Sequence, residues 1–240
     1  MKLLAAAASA FALACAFTFS GEALAQSAKA TYPAMAPVSH YLIADRDDEI
    51  AMARSAAPPS ISAQASVMVL GTRGYELAAT GTNGWVCLVE RSWDAGFDDP
   101  VFWNPKVRGP DCYNPIAART EVPRVLKRTE WVLAGLSKAQ IMARTRAAIS
   151  DGSFKAPERG ALSYMLSKRG YLGDDANGPW LPHLMFYVPR GQAANWGAGK
   201  DGSPVLGADG TDLDTTIFLV PVRKWSDGTP GPQPPAAHTM

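Results

Sequence analysis

The segment Gly84-Trp85-Val86-Cys87-Leu88-Val89-Glu90 constrains the fold more than any other stretch, because its apolar residues fall on both faces of an extended strand. A strand with one face in water alternates apolar and polar side chains, so one that does not alternate needs cover on each side. It therefore belongs centrally in a sheet. Two further extended runs precede it, at 67–70 and 75–78, with Gly71-Thr72-Arg73-Gly74 between them and Thr80-Gly81-Thr82-Asn83-Gly84 before the third. Both separators are turn chemistry, the second holding an Asn-Gly pair tolerant of positive φ. The three runs are expected to form an antiparallel meander.

Extended runs return at 162–166, 184–188 and 216–220, each bounded by Gly, Pro or Asp. Helical signals lie before and between the two groups. Asp45, Asp47, Asp48 and Glu49 stand where acids favour a helix start, and the helix ends before Pro58-Pro59. Asn114-Pro115 pairs a capping residue with a proline suited to the first helical position. Val122, Val125, Leu126, Val132 and Leu133 then keep helical spacing to Ala134, with a break at Pro123. Ser137-Lys138-Ala139-Gln140 is a capping box, followed by the stripe Ile141, Met142, Thr145, Ala148 and Ile149, and the helix stops at Asp151-Gly152. Between the groups, 92–114 combines Pro100, Pro105 and Pro110 with Trp93, Phe97, Phe102, Trp103 and Tyr113. Prolines forbid regular structure there, while the aromatics demand burial, so an irregular flap packed as a lid over a core edge is expected. The order implies an α+β fold: an antiparallel sheet of about six strands with helices on one face, one domain over 38–225. Residues 26–37 read as an Ala/Pro linker and 226–240 as a disordered Pro-rich tail.

The N-terminus reads as an export signal. Lys2 supplies the positive start, residues 3–19 an apolar run broken only by Ser9 and Thr18, and Ala23-Leu24-Ala25 the small residues of a cleavage site. Cleavage after Ala25 would leave 215 residues in the periplasm or outside the cell. The run is too short and wrongly flanked for a membrane anchor, which needs about 20 apolar residues. Cys15 is a minor lipidation candidate. The mature chain keeps Cys87 and Cys112, an even number in an oxidising compartment, which predicts one disulfide. One buried and one loop thiol is the alternative. Neither belongs to a C-x-x-C pair, so redox and zinc chemistry receive no support. With 23 basic and 22 acidic residues, a nucleic-acid or anionic-membrane binder is disfavoured.

Four short segments, Ser60-Ile61-Ser62-Ala63, Gly81-Thr82-Asn83-Gly84-Trp85-Val86-Cys87, Pro182-His183-Leu184-Met185 and the late strand ending Val220-Pro221, resemble a family of exported bacterial proteins of unassigned activity. The resemblance implies export and an intact fold. It transfers no catalytic residue.

Chemistry-bearing residues are sparse. With three histidines in the chain, two of them near its ends (His40, His238), a histidine metal site is not expected, and no cofactor fingerprint occurs. His183 opens an apolar strand after Trp180-Leu181-Pro182, where a side chain can face a cleft and serve in acid/base work. Its commoner fate is a buried imidazole bonded to backbone. Glu90-Arg91-Ser92-Trp93-Asp94 groups two acids, a base and a hydroxyl at a strand end, with Glu90 and Arg91 on opposite faces. There Arg91 is a candidate to pair with a ligand, and Trp93 and Trp85 to stack on it. A solvated strand end is the plainer alternative. The sequence thus favours a small-ligand or envelope-component binding protein, with a hydrolase using His183 as base and Glu90 or Asp94 as orienting carboxylate as the alternative. A structural partner of an envelope protein is the third reading.

Overall fold

A computed structural model describes residues 32–173, 181–209 and 214–232 of the 240. The export signal, Cys15, Trp180 and His238 lie outside the described residues.

Eight strands form a single mixed sheet: β1 (Ser66–Gly71), β2 (Gly74–Ala79), β3 (Val86–Glu90), β4 (Gly109–Tyr113), β5 (Leu162–Met165), β6 (His183–Pro189), β7 (Leu206–Asp209) and β8 (Thr215–Pro221). Their order is β2-β1-β3-β4-β5-β6-β8-β7. The helices are α1 (Arg46–Arg54), α2 (Pro59–Ser62), α3 (Ala117–Thr120), α4 (Val122–Leu133) and α5 (Lys138–Ser150). The α+β reading holds, with corrections to strand number, strand direction and helix placement.

The expected meander is replaced by a crossover. β1 pairs antiparallel with β2 but parallel with β3, through Ser66↔Val86 and Val67↔Cys87. The cause lies in the turn before β3. Asn83 donates from Nδ2 to the Ile61 carbonyl at 2.8 Å and accepts from Trp85 N at 3.0 Å, while Thr82 N donates to the Gln64 carbonyl at 2.8 Å. These bonds tie the chain to the start of β1 and carry it past that strand to its free edge. Gly81 makes the passage possible, because a Cβ there would stand 2.2 Å from Ser66 N. The segments 60–63 and 81–87 thus meet at one junction.

β4 is the strand hidden in the aromatic segment. Pro110 marks it as irregular, yet β5 pairs only with Cys112 and Tyr113, so Pro110 interrupts no rung of that ladder. Cys87 and Cys112 are directly opposite in the β3–β4 register, with Cα atoms 4.0 Å apart and sulfurs at disulfide distance. β7, four residues at the sheet edge, is the other strand the sequence pattern omits.

Helices cover both faces, not one. Asp45 caps α1 through Asp47 N (2.9 Å) and Asp48 N (3.2 Å), and the helix lays Ala53 on Val67, Val69, Cys87, Val89 and Cys112. The opposite face, bearing Leu88 and Tyr113, receives Ala117, Val122 and Val125 from α3 and α4. β3 is therefore covered on each side, as its apolar run requires. The helical stretch is broken at Glu121, and Ser137 and Gln140 cap α5 reciprocally.

The segment expected to be a lid is core instead. Trp93, Phe97 and Phe102 are at most 3% exposed and pack with Tyr41, Trp131, Val132 and Ile141. Tyr32, Met35 and Ala36, from the expected linker, lie against this cluster. Residues 226–232, expected to be disordered, are docked: Ser226 N donates to the Leu166 carbonyl at 2.9 Å and Gly231 N to the Arg223 carbonyl at 2.8 Å. Among the described residues no helix is long and apolar enough to cross a membrane.

Candidate functional site

Alternation along the central strands places polar side chains on the face beneath α4. Glu90 ends β3, two residues beyond Leu88, and Asp111 and Tyr113 share that face on β4 by their pairing with Leu88 and Val86. Ser163 and Met185 continue the row from β5 and β6, and Tyr187 stands beyond them. α4 brings Arg124, Val125 and Arg128 down onto this surface, and Glu121 stands at its cap. The result is a cavity of about 130 Å³ whose polar lining is Glu90, Asp94, Glu121, Arg124, Arg128, Thr145 and the Tyr113 and Tyr187 phenols. Val125, Phe154, Met185 and Ile217 supply its apolar wall.

The hydrogen bonds are unevenly distributed. Tyr113 donates to Glu90, and Asp94 accepts from Arg91 N at 3.2 Å. Beside the cavity Ser163 donates to Asp111 Oδ2 at 3.1 Å and shares a 3.0 Å hydroxyl contact with Tyr187. Arg124 pairs with Asp214 at 2.7 and 3.1 Å and donates to the Lys155 carbonyl. Arg128 donates to the Trp93 and Ala95 carbonyls at 3.0 and 3.1 Å and lies over the Phe97 ring, 4.4 Å from its centroid. By contrast Glu121 Oε1 and Asp111 Oδ1 are buried without a hydrogen-bond partner among the described residues.

Burial dominates the electrostatics. It pushes Glu90 up to about 7, against the lowering effects of the Tyr113 hydrogen bond and the Arg128 charge. Glu121 is likewise pushed up to about 7 by burial, opposed by Arg124. Asp94 and Asp111 rise well above the ordinary carboxyl range, first from burial and then from the charge of Glu90. Both phenols are raised by burial. Glu90 and Glu121 are thus carboxyls able to hold or release a proton near neutrality.

Of the residues singled out from sequence, Glu90 and Asp94 line the cavity. Arg91 does not: it points to the other face, where Nη2 meets Glu49 Oε1 at 2.8 Å and Nε donates to the Tyr41 carbonyl at 2.7 Å. Trp93 is fully buried, its indole N–H donating to Thr129 Oγ1 at 2.9 Å. Trp85 packs on Tyr164 with ring centroids 5.2 Å apart, on the α1 side. His183 is 5% exposed on β6, its Nδ1 2.8 Å from the Leu181 carbonyl, and burial lowers its basicity. It stands three strands from Glu90, about 14 Å at the usual strand spacing, and does not line this cavity.

Glu121, Arg124, Arg128, Tyr113 and Tyr187 were not singled out. A signal existed on the helix: Glu121, Arg124 and Arg128 recur in phase with Val122, Val125 and Val132, so a charged row borders the buried stripe. Among the described residues no three His, Cys, Asp or Glu side chains gather as a set for a metal ion. Compared with protein-family models, with curated proteins and with solved structures, the chain matches none.

Proposed function

We propose that this chain is an exported protein that binds a small molecule in the cavity between the sheet and α4. One observation carries the reading: residues from β3, β4, β6, α4 and the Ser92–Asp94 turn converge around a partly open space with more polar groups than a core can use. Buried ionisable groups cost free energy unless matched, and such arrangements concentrate at functional sites. Export is supported by the Lys2, apolar run and Ala23-Leu24-Ala25 pattern and by the paired cysteines. A thermal-shift screen of envelope metabolites and glycan fragments tests binding. A ligand should raise the melting temperature of the native chain and lose that effect in Val125→Phe, which fills the cavity. A blank screen overturns the reading. Export is tested by the mass of the protein recovered from the cell envelope or medium, which should begin at Gln26.

A catalytic reading has one observation of its own. Glu90 sits beside a second carboxyl, Asp94, and titrates near neutrality, the combination a general acid requires. This replaces His183 as the acid/base group. Turnover of chromogenic glycosides or esters, abolished by Glu90→Gln with binding retained, is the expected result; no turnover of either class leaves the binding role alone.

A further inference from the structure

We infer that the molecule held in the α4 cavity is a small organic cation, an amine or guanidine on a short apolar stem. The inference rests on the cavity being a binding site and names its ligand class.

Charge comes first. Three acidic side chains line the space with two guanidiniums, and one of those, Arg124, is already paired with Asp214. Both guanidiniums aim hydrogen bonds at the cavity's own frame: Arg124 at Asp214 and the Lys155 carbonyl, Arg128 at the Trp93 and Ala95 carbonyls. An arriving anion would have to compete with these bonds and lie beside three acids.

Hydrogen-bonding capacity points the same way. The Glu121 side chain is 9% exposed; its Oε2 lies 3.7 Å from Arg124 Nε, too far for a hydrogen bond. Glu121 Oε1 has no hydrogen-bond partner among the described residues and can accept from an N–H cation, whereas the unpartnered Arg124 Nε is a donor that such a cation does not satisfy. A buried carboxylate oxygen without a donor is costly, and an N–H cation supplies donors and charge together.

Shape and walls complete the case. About 130 Å³ is well below the roughly 300–1,000 Å³ of drug-sized sites. Tyr113 and Tyr187 stack with centroids 6.1 Å apart, and Phe154 already carries Arg124 at 5.4 Å from its centroid. Such faces attract cations, while Val125, Met185 and Ile217 accept the hydrocarbon stem.

The test compares three ligands of one size on the full mature chain by calorimetry at about pH 8, above the values of about 7 to which burial pushes Glu90 and Glu121: n-butylamine, n-butanol and butyrate. The amine should bind, and the alcohol and acid should not. Glu121→Gln should weaken the amine about tenfold, the scale of one charge-assisted hydrogen bond. Val125→Phe, which leaves every charge in place, should abolish its binding, with circular dichroism confirming the fold of both variants. Binding of butyrate or butanol without the amine, lost in Val125→Phe, overturns the cation assignment and keeps the cavity as a binding site. Silence of all three overturns the assignment as well, and a blank broader screen then removes the site itself.

Discussion

Glu90 and Arg91 are adjacent in sequence and end on opposite faces of the sheet, where buried charge is handled in two ways. On the α1 face Arg91 meets Glu49 at 2.8 Å with side chains 0% and 2% exposed, and Glu49 also accepts from Leu70 N at 3.1 Å. Arg91 donates further to the Tyr41 and Val89 carbonyls, so that pair is closed off. On the α4 face Glu121 and Arg124 stand 3.7 Å apart, each with an unpartnered buried atom, beside acids whose protonation burial favours. A saturated ion pair is a structural strut. An unsaturated one beside a cavity is a place for something else to bind.

The largest test of this contrast is Arg91→Ala. It strands the Glu49 carboxylate in the core and should cost about 3–5 kcal/mol in urea unfolding at neutral pH, the usual penalty for half of a buried pair. A loss under about 1 kcal/mol would sink the idea that the α1-face pair is saturated. On the same face, replacing Cys87 and Cys112 together by Ala should cost about 3.5 kcal/mol in the chain-entropy account of a 25-residue separation. Equal melting of reduced and oxidised wild-type protein would contradict it.

The α4 face should respond in the opposite sense to removal of charge. Glu90 and Glu121 have folded-state values near 7 against an ordinary 4.5, so the folded chain holds protons the unfolded chain has released. Their stabilising contribution is full below about pH 4.5 and is lost as pH rises through about 7. Denaturation midpoints should therefore fall between about pH 5 and 8. Glu121→Gln should flatten that fall by on the order of 3 kcal/mol and leave the protein at least as stable at pH 8. Stability that rises over this range would refute the assignment. The smallest effect belongs to Lys127 and Glu130, paired at 2.6 Å on the outer side of α4 with both side chains about half exposed. Lys127→Ala should cost no more than about 0.5 kcal/mol, since water already solvates both charges.

Much of the fold was legible in short-range pattern. The six extended runs, the acidic start of α1, the Ser137/Gln140 box and the central place of β3 all follow from spacing and capping chemistry. β4 escaped because Pro110 ordinarily argues against a strand, and its tolerance depends on how far β5 extends. The crossover of β3 escaped because it depends on Asn83 finding the Ile61 carbonyl, 22 residues away. Glu90 and Asp94 were visible as a cluster at a strand end, whereas Glu121, Arg124 and Arg128 resemble the solvated face of any helix. Arg91 and Trp93 were visible too, but their hydrogen bonds within the protein give them structural work.

From the residues alone came six of the strands, the longer helices, the cysteine pair as a candidate staple and the Glu90–Asp94 cluster, because these depend on neighbours within a few positions. Tertiary structure decided which charges share a space, since α4 could lay Glu121 and Arg124 against water or against the sheet with the same helical propensity. The choice is made by Val122 and Val125 seeking Leu88 and Tyr113, and the charged residues beside those valines are carried into the interior with them.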